Sequence, residues 1–316
     1  MIMKMNLGAR CAGLLTLLGV LILASCDSSA PGPASARTGT ETYLVLGHIY
    51  QWGSPHHNNR IDHRLEGIDF GKYEGILLGG DICTETTKFE STLDYLNDLF
   101  DLQNEHTMWS LGNHDARNGN SAWITERTKR PLFYTTYFND VQWLVLNSTF
   151  ELDPDNPDPC EDMAQQWQLI TSVLDTVHHA ANLVILMHYA IWGNVEPEGM
   201  RTDLFANAEK SWVNLVCDSI KKFETDVYPL LTNVAERGIH VSVISGDGGQ
   251  KSKRYRYETN EGIEFFITGI NNSIDTVVYP AGSQFNFNPD SVLELKIDKA
   301  SGILELQFVP LTKIIN

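Results

Sequence analysis

The chain reads as an α/β protein in which two β-sheets lie face to face with helices on the outside. Three observations predict this. Several short apolar runs end in glycine and then polar residues, as strands buried on both faces do. Amphipathic helical patterns separate those runs. From Tyr255 onward the helical alternation stops and short strand patterns follow one another, which predicts an antiparallel second sheet.

Residues 1–25 have the pattern of an export signal. Lys4 and Arg10 precede an apolar stretch from Leu14 to Leu23 that is short for a membrane span. Leu23-Ala24-Ser25-Cys26 then resembles a bacterial lipoprotein signal. That resemblance implies cleavage before Cys26 and lipid attachment to it, the alternative being an uncleaved anchor. Asp27 resembles a retention signal for the inner membrane; inner and outer membranes both stay open. Residues 26–41, rich in Ser, Ala, Pro, Gly and Thr, form a tether. Residues 42–316, about 275 in number, contain no second linker and no internal repeat, so one domain is expected.

Removal of Lys4 and Arg10 takes the formal charge from −17 to −19. So acidic a surface excludes nucleic acid as a stable partner, because phosphate contacts require Lys and Arg. Beyond Cys11 in the signal and Cys26, three cysteines remain, Cys83, Cys160 and Cys217. An exported chain forms disulfides; the odd number leaves at least one thiol outside an internal pair, and the sequence does not name the pair.

The elements follow from the apolar periodicity. Thr42–Leu46 forms a strand ending at Gly47-His48, and Gly75–Leu78 one ending at Gly79-Gly80-Asp81. Thr87-x-x-Glu90 reads as a capping box, with Phe89, Leu93, Leu96 and Phe100 at helical spacing. The next strand runs into Gly112-Asn113-His114-Asp115. Strands over 132–136 and 141–146 are joined by a turn at Asn139-Asp140. An acidic proline loop over 153–159 leads to Asp158 as N-cap and Pro159 as first helical residue. Met163, Trp167, Ile170, Leu174 and Val177 mark the buried face of that helix. Leu183–Met187 is a buried strand ending at His188, and an insertion over 190–224 containing Trp192, Phe205 and Trp212 is expected to cover the site. A helix over 226–237 precedes a strand over 239–244 that runs into Gly246-Asp247. Strands over 263–268, 276–279, 292–297 and 303–308 complete the chain.

Five strand ends thus carry His48, Asp81, Asn113 with His114, His188 and Asp247. Strand ends of one polarity share an edge in α/β sheets, and sites form along it. Carboxylate, amide and imidazole groups gathered there are able to hold metal or move protons.

At Gly80-Asp81 and Gly112-Asn113-His114-Asp115 the chain resembles the calcineurin-like metallophosphoesterases, over most of residues 42–270. The resemblance implies a four-layer α/β/β/α sandwich of two mixed sheets. It implies one or two divalent ions, Mn, Fe or Zn, with Asp81 bridging and Asn113 and His188 as ligands. His114 would meet the phosphate and assist the leaving group, and Asp115 would orient His114. Two motifs depart from the family pattern. Gly47-His48-Ile49-Tyr50 stands where the family has Asp-x-His, and Gly246-Asp247-Gly248-Gly249 where it has Gly-His-x-His. Asp247 can serve as a fourth ligand beside Asp81, Asn113 and His188, whereas the second ion position keeps Asp81 with His48 or Tyr50. His56, His57, Asp62 and His63 could fold back towards the site; the simpler expectation is a polar loop in which Arg60 pairs with Asp62. Lys251, Lys253, Arg254 and Arg256 could attract substrate phosphate or form a solvated hairpin.

The expected function is an exported, lipid-anchored, metal-dependent phosphoesterase of the bacterial cell envelope. Its partners would be a small-molecule or polymer phosphate ester and, through Cys26, a membrane. The alternative is a catalytically impaired protein that binds a phosphorylated or glycan envelope component.

Overall fold

The computed structural model describes residues 39–51, 59–195, 217, 221–248, 254–270 and 290–315. The lipoprotein signal, Cys26, His56, His57, Phe205, Trp212, Gly249, Lys251, Lys253 and the strand expected over 276–279 lie outside them.

Eleven strands are described. β1 (Thr40–Leu46), β2 (Gly75–Leu78) and β3 (Met108–Trp109) run parallel. β10 (Ser291–Asp298) and β11 (Leu304–Pro310) add an antiparallel hairpin to the free edge of β1, giving the order β11-β10-β1-β2-β3. The second sheet is built from β4 (Tyr134–Phe138), β5 (Val141–Val145), β6 (Asn182–Tyr189), β7 (His240–Asp247), β8 (Arg254–Glu258) and β9 (Glu264–Thr268). Its order is β4-β5-β6-β7-β9-β8, parallel at the centre with antiparallel strands at both edges. Both sheets are therefore mixed. Among the described residues the expected antiparallel C-terminal sheet is not a separate unit: β8 and β9 extend the sheet of β7, while β10 and β11 return to β1. A strand pattern records burial, and burial does not reveal which edge a strand joins.

Period-two alternation explains why the strands read as continuous apolar runs. Tyr43 and Val45, Leu77, Val184 and Leu186, Ile244 and Phe266 point into the layer between the sheets. Leu44, Leu46, Ile76 and Leu78 face the opposite way, onto α1 (Glu90–Phe100) through Leu93, Leu96 and Phe100; the short helices α2 (Asn113–Ala116) and α3 (Ser121–Thr128) follow in the chain. Leu183, Ile185, Met187, Val241 and Val243 face α4 (Pro159–Thr176) and α5 (Tyr228–Glu236). Helices thus flank the two facing sheets.

The same alternation sets the geometry at the strand ends. After Val45, Leu77 and Ile244 the next inward positions are Gly47, Gly79 and Gly246. A Cβ on Gly246 would stand 1.8 Å from the Gly79 carbonyl oxygen, and one on Gly47 would stand 2.4 Å from the Gly246 Cα. Side chains fill the rest of the inter-sheet space; here the two backbones meet directly.

Several local expectations change. Thr87 does not cap α1; its hydroxyl donates to the Asp115 carbonyl, and Phe89 at the N-cap is 54 % exposed. Asp158 does cap α4, accepting from Glu161 N, with Pro159 first in the helix. Asn139 and Asp140 adopt φ values of 54° and 58°, as a tight hairpin turn requires. A wider π-helical turn over Phe223–Val227 precedes α5, so the expected helix over 226–237 is divided. Arg60 pairs with Glu66, and Asp62 is gripped at both oxygens by Arg64, which also bonds Asp290. Of the basic cluster, Arg254 lies over Phe308 and Arg256 pairs with Glu258 and Glu264, in keeping with the solvated hairpin. Cys160 and Cys217 form a disulfide, and Cys83 is a buried thiol that burial pushes well above its ordinary pKa.

Candidate metal centre

His48 and Asp81 directly follow β1 and β2, linked by a hydrogen bond from His48 N to Gly80 O of 2.9 Å. Both adopt left-handed backbones, with φ of 49° and 57°. Such conformations cost on the order of 1–3 kcal/mol each and persist where surrounding structure holds the backbone in place. His188 and Asp247 are borne by the neighbouring parallel strands β6 and β7 of the other sheet. Asn113 opens a single helical turn, α2 (Asn113–Ala116), just after β3.

Contact between Gly47, Gly79 and Gly246 brings these two sets of strand ends together. The ligating atoms of His48, Asp81 and Asp247 all lie within 4.8 Å of one another. His188 Nε2 stands 3.3 Å from Asn113 Oδ1, 3.4 Å from Asp81 Oδ1 and 3.8 Å from Asp247 Oδ2. Asp81 presents its other oxygen, Oδ2, to His48 Nε2 at 3.8 Å and His114 Nε2 at 4.0 Å.

A divalent cation fits this donor set. His188 Nδ1 faces the Gly79 carbonyl at 2.8 Å and must donate to it. In the neutral imidazole Nε2 then carries a lone pair, directed at an amide oxygen and two carboxylates. Four acceptors facing one another repel unless a positive centre lies among them. Ligand atoms that share an ion at about 2.1 Å stand roughly 3.0–3.4 Å apart, close to the separations around His188. Gly112 leaves the room: a Cβ there would lie 2.2 Å from Asp81 Oδ1 and 2.8 Å from His188 Cε1.

His114 and Asp115 separate in role. His114 Nδ1 donates to Thr84 O at 2.9 Å, which leaves Nε2 facing Asp81 Oδ2. The expected orienting partner, Asp115, points elsewhere. Its fully buried carboxylate accepts from the backbone N–H groups of Asp81, Ile82 and Gly112, from Thr86 Oγ1 at 2.5 Å and from Trp109 Nε1. Asp115 therefore ties the loop after β2 to the loop after β3, and Thr84 O takes the orienting role. Burial and Asp81 push Asp115 above the usual carboxylate range, while Thr86, Gly112 N–H and His188 pull it back.

Tyr50 closes the site beside His48. Its ring is stacked on His114 with centroids 4.4 Å apart and planes at 22°, and it lies 4.7 Å from the His48 ring. Burial, then Asp81 and Asp247, push its phenol well above the ordinary value, and Arg117 acts against them. Arg117 lies beside these groups although no motif in the sequence marks it. It follows Asn113 at one helical turn and shares the Thr84 carbonyl with His114; the i, i+4 spacing from Asn113 was the available signal. His63 lies away from the centre, largely exposed and 3.7 Å from Asp62.

No family model and no curated protein matches the chain. Among solved structures, it is similar to GAP50, the anchor in the inner membrane complex of Plasmodium. That likeness has TM-score 0.49 and 12 % identity, over 88 % of this chain and 86 % of the other. It is also similar to Vps29 complexed with Zn²⁺ from Entamoeba histolytica, with TM-score 0.30 and 11 % identity, over 85 % and 99 %. Both likenesses are too distant to bear on chemistry. Among the described residues, no helix is long and apolar enough to cross a membrane.

Proposed function

We propose that this chain is an exported, lipid-anchored, metal-dependent phosphoesterase. The observation that carries the reading is His188 Nε2, turned towards Asn113 Oδ1, Asp81 Oδ1 and Asp247 Oδ2 while Nδ1 is bound to the Gly79 carbonyl. Asp81, Asn113, His188 and Asp247 would hold a divalent transition metal, Mn, Fe or Zn, with His48 within reach on the second carboxylate oxygen of Asp81. When bound, such an ion activates water and neutralises phosphoryl oxygens.

The chain's own groups supply the rest. Thr84 O fixes the His114 tautomer, so that Nε2 is the nitrogen able to carry a proton to the departing ester oxygen. The Arg117 guanidinium, exposed beside His114, suits an anionic substrate because its planar fork matches phosphate oxygens. Asp115 keeps the two metal-bearing loops in register. The substrate is a small-molecule or polymer phosphate ester presented at the bacterial cell envelope, where lipid on Cys26 would keep the protein at a membrane. Lipid labelling that survives Cys26→Ala would contradict that anchorage.

His114→Ala tests the chemistry. Turnover of a generic phosphate ester should fall by about 10²-fold or more, with metal content nearly unchanged. Equal activity in the two proteins removes His114 from the mechanism. A second reading, a binding protein for a phosphorylated or glycan envelope component, is favoured by Gly47-His48-Ile49-Tyr50 and Gly246-Asp247-Gly248-Gly249, which stand in place of Asp-x-His and Gly-His-x-His. Ligand binding without turnover across a broad screen of metals and esters would select it.

A further inference from the structure

We infer that Tyr50 is a positioning residue for His114: its stacked ring fixes the plane in which His114 Nε2 meets the departing group. This role rests on the phosphoesterase reading. One hydrogen bond, from Nδ1 to Thr84 O, anchors His114, and an imidazole held at one point can still swing about it. The Tyr50 ring lies against its face at 4.4 Å and 22°, which removes that freedom. Tyr50 also meets the His48 ring, tilted at 47°, and the two imidazole centroids lie 6.5 Å apart, both facing Asp81 Oδ2.

Tyr50 is itself held firmly. It is 2 % exposed and makes an antiparallel bridge to Ile61. Gln51 N donates to Arg60 O and Asp62 N to Ile49 O, so the returning segment is bonded on both sides of the tyrosine. Arg64 locks the Asp62 carboxylate and reaches on to Asp290. The fully buried Ile61 and Leu65 pack in the same cluster as Ile49. The ring thus transmits the rigidity of the surrounding segment to His114.

An acid that is displaced matters only when the leaving group needs its proton. Phenyl phosphate does; 4-nitrophenyl phosphate, with its far more stable anion, needs it much less. The test compares the full chain with Tyr50→Leu, which keeps apolar bulk without a ring, and Tyr50→Phe, which keeps the ring. Tyr50→Leu should lower kcat for phenyl phosphate by about tenfold to a hundredfold, as misplacement of a reacting group does. KM, metal content and turnover of 4-nitrophenyl phosphate should stay within about twofold of wild type, a leaving-group dependence that follows from general-acid catalysis. Tyr50→Phe should restore phenyl phosphate turnover. In NMR spectra the His114 ring protons, assigned by their loss in His114→Ala, should move downfield in Tyr50→Leu and stay in place in Tyr50→Phe. Tyr50→Met serves the same comparison should the leucine variant misfold.

Equal loss on both esters, loss of metal with the ring, or unmoved His114 signals would overturn the role. Wild-type turnover whose leaving-group dependence is untouched by Tyr50→Leu defeats this role alone. Absence of turnover by wild type with both esters defeats the phosphoesterase reading, and this role with it.

Discussion

His48 and Asp247 bring one imidazole and one carboxylate to the same space as Asp81. The ligating atoms of the three lie within 4.8 Å of one another. His48→Asp should add a third carboxylate to the cluster, and Asp247→His should leave only Asp81. Each single change is expected to alter metal affinity by about tenfold or more, and the double exchange to recover most of the loss, because neighbouring sites couple. Isothermal titration with Mn and Zn measures this, and additive losses in the double variant would contradict it. Asp115 makes a different prediction. Asp115→Ala strands three buried N–H groups, so a loss of roughly 3–5 kcal/mol is expected, seen as a fall in Tm on the order of 10 °C. A variant as stable as wild type would contradict the structural role given to Asp115.

At the scale of elements, strand ends were legible and their partners were not. Apolar runs breaking at Gly47, Gly79 and Gly246 marked where strands stop, because both faces of each strand are buried up to that point. What those glycines do was hidden, since backbone contact between strands far apart in sequence leaves no local pattern. His188 was legible through the same alternation, as the next inward position after Val184 and Leu186. Thr87-x-x-Glu90 had the form of a capping box, yet the Asp115 carbonyl, absent from any local window, competes for the hydroxyl. His114 and Asp115 are adjacent and were read together; the fold turns one towards Asp81 and the other into the protein. Gly246→Ala tests the glycine contact. Its Cβ would stand 1.8 Å from Gly79 O, so the sheets must part at the site, at a cost of about 1–3 kcal/mol or more. Metal binding should weaken far more than in Gly67→Ala, whose Cβ would meet nothing within 4 Å. Equal metal affinity in the two variants would contradict a role for the Gly47–Gly246–Gly79 contact in assembling the centre.

For the whole molecule, class and layering followed from burial patterns, whereas sheet membership did not. The hairpin of β10 and β11 lies beside β1 although nearly the whole chain separates them. That closure completes the sheet that carries His48, Asp81 and Asn113. The disulfide between Cys160 and Cys217 closes a loop with a sequence separation of 57 residues. Loop-entropy reasoning assigns such a closure about 4 kcal/mol, so Cys160→Ser should lower Tm measurably while leaving metal affinity intact. Coincident loss of metal would tie the disulfide to the site instead. The central claim is that Asp81, Asn113, His188 and Asp247 hold a catalytic cation, and its most direct test is a metal titration of chelator-stripped protein followed by 4-nitrophenyl phosphate hydrolysis. Hydrolysis should return with Mn, Fe or Zn, saturate as the centre fills, and remain absent in His188→Ala. A stripped protein that binds none of these ions, or binds them without hydrolysing the ester, would contradict the account.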